Sequence, residues 1–372
     1  MPKNSMSSLD KLPRQSEPPL RSALIFRILL VIFFVVILAV GFGLIELQQR
    51  FSLTPALIWA TLTNDTSVLK QTQGRTNVVL FGISGGTHEG SNLTDTILVL
   101  SLRLDNQDSV MISVPRDIWI PSFKDKINAA YKFGEEKNPG SGGLTLAKAV
   151  VEEVVGAPIH YALLIDFSGF RELVDALGGI EVNVAETFTD NKYPIAGKET
   201  DLCDGDPEYN CRYETITFTK GTEQMDGERA LKYVRSRHAE GESGTDFSRG
   251  KRQQVVLVAV KNQILSRQLL TDRSKISTLI PLVNKTIITD MLLAEEAIFG
   301  RTLLNNTQSI RQTALTQDEP EKGKPGLLIN PPQWQYSGLW VLVPKAENFS
   351  QIHAYIKCVL ENNGKCEEQV SS

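Results

Sequence analysis

The chain has 372 residues, of which 39 are Lys or Arg and 43 are Asp or Glu, so its formal net charge is −4. Apolar residues make up 41% and charged residues 22%, which is typical of a folded globular protein. The acidic balance argues against a protein that binds nucleic acid through a basic surface. Four cysteines are too few for a fold built on disulfides, so a hydrophobic core must hold the structure.

The first hydrophobic feature is a run from Ile28 to Ile45 in which every residue is apolar or Gly. This run is about as long as a helix that crosses the hydrocarbon core of a bilayer. We predict a cytoplasmic tail over residues 1–23 and a transmembrane helix over residues 24–45, and the basic tail places the rest of the chain outside the cell. A buried core helix would carry a polar stripe, and a cleaved signal peptide would have a shorter run with a small-x-small site, so both alternatives are disfavoured.

The cysteines agree with an oxidising location. Cys203 and Cys211 flank a short polar loop, and Cys358 and Cys366 flank a second short loop. Of the three pairings that four cysteines allow, the local one is predicted, although free buried thiols are the alternative. A metal site is disfavoured because the spacing lacks Cys-x-x-Cys and a nearby His.

Strand and helix patterns alternate after a predicted stalk over residues 46–75. Buried or alternating apolar runs predict strands over residues 77–83, 96–104, 109–114, 159–165 and 180–184. Helical spacing predicts helices over residues 145–155, 168–177, 226–234, 246–266 (capped by Asp246), 274–285 and 292–302. This order predicts an α/β domain over residues 76–305, with a central mixed sheet covered by helices.

The character of the chain changes after residue 305. Strands are predicted over residues 310–315 and 339–343, and a helix over residues 349–360, with a polar, proline-containing segment between them. We expect residues 306–372 to form a small C-terminal appendage, either added to the sheet or docked on it.

A basic cluster is the strongest local signal for function. Arg235 and Arg237 precede the long predicted helix, and Arg249 and Gln253 share one face of its first turns. Backbone N–H groups at a helix start favour an anion, and arginine forks suit phosphate oxygens. The alternative is a solvated helix face that pairs with neighbouring acidic residues. Arg252, one position before Gln253, is expected to be structural, so that Arg252→Lys would be mild.

Three weaker signals accompany the cluster. Asp95 stands at the entrance of a strand, where a carboxylate beside a phosphate site suits Mg²⁺ (or Mn²⁺), although such residues are more often turn or cap residues. Arg116 follows a strand-ending proline. Lys126 and Asn128 form a basic and amide pair just before a helix, and are candidates for substrate binding.

Taken in order, these motifs resemble the LytR–CpsA–Psr family. The motifs that carry the resemblance are Thr-Asp-Thr (94–96), Pro-Arg-Asp (115–117), Lys-Ile-Asn-Ala-Ala-Tyr (126–131), Ile-Asp-Phe-Ser-Gly-Phe (165–170), Asp-Ala-Leu-Gly-Gly-Ile-Glu-Val (175–182) and the arginine and glutamine pattern of residues 235–254. The resemblance runs from about residue 77 to residue 266, with the short tail and single anchor in the expected place.

The resemblance implies a membrane-anchored extracytoplasmic phosphotransferase. Such enzymes move a glycan phosphate from a polyprenyl-diphosphate carrier to a wall acceptor such as peptidoglycan. In this family, residues corresponding to Arg116, Arg235, Arg237, Arg249 and Gln253 grip the diphosphate, and the residue corresponding to Asp95 is a Mg²⁺ ligand. The apolar continuation of the long helix, residues 255–260, either lines a cavity for the carrier tail or packs in the core.

The sequence departs from the family pattern at two places. Ser84 stands where family members commonly have a second metal-binding Asp, and Leu93 stands where they have an Arg. His88 or Glu89 in the following loop is an alternative ligand or base, unless that loop is only a glycine-rich turn. Two other functions therefore stay open: a hydrolase of diphosphate carriers, and a non-catalytic envelope protein that binds a lipid-linked glycan.

Overall fold

The structure is a computed structural model that describes residues 63, 65–86, 90–105, 108–198, 200–266, 269, 272–305, 310–323, 325–361 and 366. The predicted cytoplasmic tail, the predicted transmembrane helix and most of the predicted stalk lie outside these residues. Among the residues that are described, no helix combines the length and the hydrophobicity needed to cross a membrane.

The elements alternate along the chain as the sequence predicted. The described strands are β1 (Arg75–Ile83), β2 (Thr94–Arg103), β3 (Ser109–Ser113), β4 (Trp119–Ile120), β5 (Asp125–Lys126), β6 (Tyr161–Asp166), β7 (Ile180–Val184), β8 (Phe188–Pro194), β9 (Tyr213–Phe218), β10 (Gly221–Met225), β11 (Ile287–Thr289), β12 (Arg311–Ala314), β13 (Leu328–Ile329) and β14 (Val343–Pro344). The longer described helices are α1 (Ala130–Lys137), α2 (Gly142–Val155), α3 (Phe167–Ala176), α4 (Gly227–Arg235), α5 (Asp246–Ile264), α6 (Arg273–Thr286), α7 (Leu293–Asn305) and α8 (Ser350–Glu361).

Six strands form the central sheet in the order β11-β6-β1-β2-β3-β12. β1 is antiparallel to β2 and parallel to β6, and β12 is parallel to β3. The predicted mixed sheet is therefore confirmed. Alternate residues of β1 serve two cores: Val79 and Phe81 pack with α2 and α8 on one face, whereas Val78 packs with α7 on the other.

The segment after residue 305 is part of this sheet and of this core. Arg311 pairs with Val110 in the parallel β3–β12 ladder, and Leu315 and Ile352 are buried among the residues of the first core. At the other end of the domain, the predicted stalk is too long. Leu69 is 2% exposed and packs with Val78, so the folded part begins before residue 76.

A second lobe has its own core between β7–β10 and α3–α5. The sequence analysis missed β8, β9, β10 and α1, because these segments are short and polar: of the five residues of β10, only Met225 is buried. The predicted cap of the long helix was also wrong. Thr245, in an extended conformation, is the N-cap and its hydroxyl accepts a hydrogen bond from Ser248 N–H, whereas Asp246 is the first helical residue.

Both predicted disulfides are present. Cys203 is bonded to Cys211 and Cys358 to Cys366, and no free cysteine remains in the described part of the chain. Cys366 lies in the first core with α8, so its bond holds the end of the described chain against the helix that precedes it.

Arg252 is a buried cation that holds the segment between α4 and α5. Its guanidinium donates three hydrogen bonds to backbone carbonyls, those of Tyr233 (3.0 Å), Ser236 (2.6 Å) and Ser243 (2.8 Å). It also lies over the ring of Phe188 at 4.9 Å. Burial lowers the pKa of Arg252 to about 10, so the group stays charged at neutral pH.

Asp190, in β8, is a buried anion that holds the same segment between α4 and α5. Its Oδ2 accepts hydrogen bonds from Ser236 Oγ (2.7 Å), Arg237 N–H (2.9 Å) and His238 N–H (3.1 Å), and its Oδ1 accepts one from Lys192 N–H. A β-bulge between Asp190 and Tyr193 accompanies this placement. Burial alone would raise the pKa of Asp190, but these four hydrogen bonds hold it below its ordinary value.

We expect Arg252→Lys to lower the free energy of unfolding by about 2–3 kcal/mol, because an ammonium cannot reproduce three carbonyl contacts made by a planar fork. The contacts agree with the structural role that the sequence predicts for Arg252, whereas a mild effect of this exchange on turnover at equal folded content stays a prediction. Urea unfolding measures the change. The reverse exchange Lys251→Arg, at the exposed neighbouring position, is the control and should stay within about 0.5 kcal/mol. Equal small effects for both exchanges would contradict the role assigned to Arg252.

We expect Asp190→Asn to destabilise the protein by about 1–3 kcal/mol at pH 7, because an amide cannot accept from all four donors. The lowered native pKa also predicts a pH dependence. The ionised carboxylate stabilises the fold above the unfolded pKa of about 3.9, and this stability is lost as pH falls through the lower native pKa. Unfolding measured at pH 7 and at pH 3 should therefore show a smaller penalty for the variant at pH 3. The exchange Asp204→Asn, at an exposed position, should be neutral at both pH values.

Candidate active site

Asp95 is presented by a β-bulge at the start of β2. Gly82 pairs with Thr96 and Ile83 pairs with Thr94, so Asp95 is the extra residue between two paired ones. A bulge bends its strand and re-aims a side chain, and such irregularities recur beside active sites. The side chain of Asp95 is 31% exposed, so a ligand can reach its carboxylate.

Arg116 lies between two carboxylates just after β3. Its Nη1 pairs with Asp95 Oδ1, and its Nε lies 3.3 Å from Oδ2 of Asp117. Asp117 is 4% exposed, and its other oxygen accepts from Lys126 Nζ at 2.7 Å. The four residues form a row of alternating charge, in which the buried Asp117 orients Arg116 and Lys126 balances Asp117.

Lys126 and Asn128 stand behind Arg116 and line neither of the two cavities described below. Lys126 is engaged by Asp117, and the backbone N–H of Asn128 donates to the carbonyl of Arg116 at 3.3 Å. The Asn128 carbonyl accepts from Thr94 Oγ1. These contacts link Lys126 and Asn128 to the segments that carry Asp95 and Arg116, and direct binding of substrate by the two residues stays a prediction.

The first turns of α5 pack closely on the end of the sheet. A Cβ at Gly250 would lie 2.5 Å from Ser113 Oγ, and one at Gly82 would lie 3.0 Å from Thr96 Cβ, so both contacts need glycine. In this position Gln253 Nε2 donates to Thr96 Oγ1 at 2.8 Å. Arg249, one turn earlier, is 7% exposed and faces the same strand end.

Arg235 and Arg237 reach the site from the end of α4. The guanidinium of Arg235 lies 4.5 Å from the ring centre of Phe167 and 5.6 Å from that of Tyr193, whose hydroxyl accepts from its Nη1. The backbone of Arg237 is held by Asp190, whereas its side chain is exposed. Arg235 is therefore fixed by stacking on aromatic rings, and Arg237 by its main chain.

These groups meet at a polar cavity of about 150 Å³. Its described lining includes the basic residues Arg116, Arg235, Arg237, His238 and Arg249. It also includes the carboxylate of Asp95 and the amide of Gln253. Asp95 is the one carboxylate among those lining residues. The cavity therefore carries a marked excess of positive charge, which suits a ligand with two or more negative charges.

A larger cavity of about 590 Å³ adjoins the first; it is here called the apolar cavity because more of its surface is apolar than polar, although Thr316, Gln317 and Glu319 also line it. The two cavities share Asp95, Arg249 and Gln253. Apolar side chains from the sheet and from the C-terminal segment line the larger cavity, among them Ile97, Val114, Leu315, Trp340 and Leu342. The arrangement suits an amphipathic ligand that has its anionic group at the arginines and its apolar part in the larger space.

The apolar run of α5 does not line this cavity. Val256 and Ala259 are buried in the core of the second lobe, and Val255 and Val260 pack against that core. Of the two roles that the sequence left open for residues 255–260, core packing is the one observed.

The candidate metal ligands are only partly described. Ser84 directly follows β1, at the strand end that pairs with the start of β2, and its Oγ donates to the carbonyl of Ser91. Ser84 is therefore at the same end of the sheet as Asp95. His88 and Glu89 lie outside the described residues.

Sequence analysis missed Asp117 as the partner of Arg116, and Asp190 as the anchor of the segment that carries Arg237. Asp117 was visible only as a member of the Pro-Arg-Asp motif. Asp190 had no signal, because its donors lie 46–48 residues away along the chain. The sequence left open whether residues 255–260 line the apolar cavity, and part of its wall comes instead from the C-terminal segment.

Comparisons with known proteins agree with this architecture. The model of the LytR_cpsA_psr family matches residues 55–353. The TagV protein of B. subtilis, known from a crystal structure, has a similar fold, with a TM-score of 0.52 at 21% identity over 77% of this chain and 97% of that one.

Two relatives have a named activity. The polyisoprenyl-teichoic acid–peptidoglycan teichoic acid transferase TagU of Oceanobacillus iheyensis is 27% identical over 284 residues, which are 75% of this chain and 74% of that protein. The protein of the same name from Enterococcus faecalis is 29% identical over 264 residues, 69% of this chain and 75% of that one. Because the family model covers most of the chain, and the sheet, the arginines and the bulged aspartate occur in one fold, the chain belongs to the LytR_cpsA_psr family.

Proposed function

We propose that this protein is a glycopolymer phosphotransferase, which moves a glycan phosphate from a polyprenyl-diphosphate carrier to a hydroxyl of a wall acceptor such as peptidoglycan. The observation that carries the proposal is the junction of the two cavities, where Asp95, Arg249 and Gln253 belong to both. A lipid diphosphate has the matching form, with a charged group joined to a long apolar tail. The names of the two relatives, which describe transfer of teichoic acid from a polyisoprenyl carrier to peptidoglycan, support the same reaction.

The arginines supply the charge that the reaction needs. Phosphoryl transfer depends mainly on in-line positioning and on neutralised oxygens, with little covalent chemistry from the protein. Arg249 is buried, and Arg235 and Arg116 are fixed by aromatic and carboxylate partners, so their guanidinium groups need little rearrangement to bind phosphate oxygens. Preorganised charges of this kind stabilise a transition state more than mobile ones.

The acceptor hydroxyl oxygen bonds to the phosphorus that carries the glycan and loses its proton to solvent or to the leaving phosphate. The bond from that phosphorus to the bridging oxygen breaks, and polyprenyl phosphate leaves with the tail still in the apolar cavity. The exposed side chain of Arg237 is placed at the solvent side, where the acceptor must approach. Water in place of the acceptor would give hydrolysis, so the same site would also support the alternative hydrolase activity.

Asp95 and Ser84 are the residues that would hold a divalent cation at this site. Mg²⁺ is commonly held by one or two carboxylates together with substrate phosphates and water. Asp95 supplies one partly exposed carboxylate, with Ser84 on the neighbouring strand end in place of a second. When bound, the ion would neutralise charge on the diphosphate and help the polyprenyl phosphate to leave.

The function is tested with the full chain in phospholipid vesicles that contain a polyprenyl-diphosphate glycan, with and without a peptidoglycan acceptor. Transfer predicts glycan on the acceptor and polyprenyl phosphate in the vesicle. Release of free glycan phosphate at equal rates with and without acceptor would support the hydrolase instead. Tight binding of the carrier with neither product would support a non-catalytic envelope protein.

We expect Arg249→Lys to lower kcat/KM for transfer by at least about tenfold, because a point charge cannot replace a bidentate contact worth about 1.5–3 kcal/mol. Transfer rates at equal folded content, checked by circular dichroism, measure the loss. Arg171→Lys is the matched control, since Arg171 is exposed and pairs with Glu228 on the surface. If the two exchanges had equal effects, Arg249 would not contact the substrate.

We expect Asp95→Asn to abolish the response of turnover to Mg²⁺, and Ser84→Asp to lower the Mg²⁺ concentration that gives half-maximal turnover, because a carboxylate adds a charged oxygen ligand. A titration of Mg²⁺ into the full chain with substrate measures both changes. An unchanged response in Asp95→Asn would place the ion elsewhere, and the loop that contains His88 and Glu89 would then be the next candidate.

A further inference from the structure

The C-terminal segment contains a long stretch without charge. Residues 325–344 include no Asp, Glu, Lys, Arg or His, although charged residues make up 22% of the chain. At that frequency, a stretch of 20 residues would be expected to hold about four charged residues. Lysines flank the stretch in the sequence, at positions 324 and 345.

Part of this stretch folds into a rigid turn, residues 333–340, here called the aromatic turn. One turn of 3-10 helix over Gln333–Tyr336 is followed by Ser337 and Gly338, both in the left-handed region. Gly338 N–H donates to the carbonyl of Gln333 at 2.9 Å, and Leu339 N–H donates to that of Tyr336 at 2.9 Å. These bonds close the turn and fix the course of its main chain.

The aromatic turn is attached to the strand that follows Arg116. Leu342 N–H donates to the carbonyl of Asp117, and Trp119 N–H donates to the carbonyl of Leu342, at 2.9 Å and 2.8 Å. The rings of Trp119 and Tyr336 meet edge-on at 5.0 Å. The turn therefore has a fixed position relative to the arginine that is placed at the diphosphate.

The turn exposes three large apolar side chains, beside the amides of Gln333 and Gln335. Trp334 is 78% exposed, Leu339 is 40% exposed and Trp340 is 37% exposed. Trp340 also lines the 590 Å³ apolar cavity. The exposed face is thus continuous with the wall of the cavity.

We propose that the aromatic turn docks on the surface of a lipid bilayer and brings the apolar cavity to the membrane in which the lipid carrier resides. This proposal rests on the proposed function, because it is the tail of a lipid substrate that must pass from the bilayer into the cavity. Tryptophan prefers the boundary between headgroups and acyl chains, where its ring is apolar and its N–H is hydrated. A surface without charge avoids the cost of desolvating ions.

A lipid surface accounts for the features of this face better than a glycan does. Sugar-binding surfaces combine an aromatic ring with charged or amide groups that contact hydroxyls. Residues 325–344 have no charged side chain, but the amides of Gln333 and Gln335 flank Trp334, so it is the link to the apolar cavity that favours a lipid. The continuity through Trp340 also links the exposed face to an apolar space and not to the polar cavity. Stacking of the acceptor glycan on Trp334 is the alternative that the experiment must exclude.

The test compares two donors with the full chain reconstituted in phospholipid vesicles. One donor is a long-chain polyprenyl-diphosphate glycan embedded in the vesicles, and the other is a short-chain, water-soluble analogue. We expect Trp334→Asp to lower kcat/KM for the embedded donor by about tenfold and to leave the soluble donor unchanged. Leu202→Asp is the matched control, because Leu202 is 73% exposed and lies in the second lobe, in the loop near Cys203, and it should affect neither donor.

Equal losses with both donors would overturn the proposal and indicate that Trp334 contacts glycan or acceptor. No loss with either donor would also overturn it. A second measurement does not depend on turnover: vesicles made with lipids brominated near the headgroup should quench wild-type fluorescence more than that of Trp334→Phe. If the wild-type protein transferred neither donor, the proposed function would fail, whereas the quenching would still decide the docking.

Discussion

The central constraint on this structure is the repulsion among guanidinium groups gathered around one cavity. Each close pair of like charges near a protein surface costs about 1–4 kcal/mol before any ligand is bound. The fold offsets this cost with buried groups of opposite charge or polarity. Asp117 and Asp95 face Arg116, and aromatic rings face Arg235. The free protein therefore holds the arginines in place while only part of their positive charge is neutralised. A ligand with two negative charges would neutralise more of it.

Asp190 and Arg252 also hold the arginines in place, but they act on the main chain of the segment that carries Arg235 and Arg237. They share Ser236: its side chain donates to Asp190, and its carbonyl accepts from Arg252. The segment that carries Arg235 and Arg237 is thus held from both sides by ionised groups that are themselves inaccessible to substrate. Buried charges are costly unless fully hydrogen-bonded, and here each has at least three partners. These hydrogen bonds explain why Arg252 has a structural role, although it is next to the site residue Gln253 in the sequence.

Much of the fold could be predicted from the sequence, because buried strands and amphipathic helices have a clear hydrophobic period. The ladders of β1, β2 and β6 and the helices α2, α4 and α5 follow that pattern, and both disulfides follow from short cysteine spacing. The antiparallel pair β8–β9 could not be predicted in this way, because its strands are half exposed and polar. Its bulge depends on pairing with β9, where Asp190 pairs with Ile216, and Asp190 accepts most of its hydrogen bonds from residues 236–238, so no local pattern contains that information.

The arginines of the site could be proposed from the sequence, because their motifs are compact, but the division of the site into two cavities could not. The polar cavity is built from residues between positions 95 and 253, whereas one wall of the apolar cavity comes from residues 314–342. β12 joins the sheet beside β3 and brings that wall next to Ile97 and Val114. The two cavities meet at Asp95, Arg249 and Gln253, and the C-terminal segment is also bonded to the arginine side of the site, because Leu342 N–H donates to the carbonyl of Asp117, whose side chain orients Arg116. The C-terminal segment is therefore a structural component of the site, since it lines the space for the apolar part of an amphipathic ligand and supports the segment that carries Arg116.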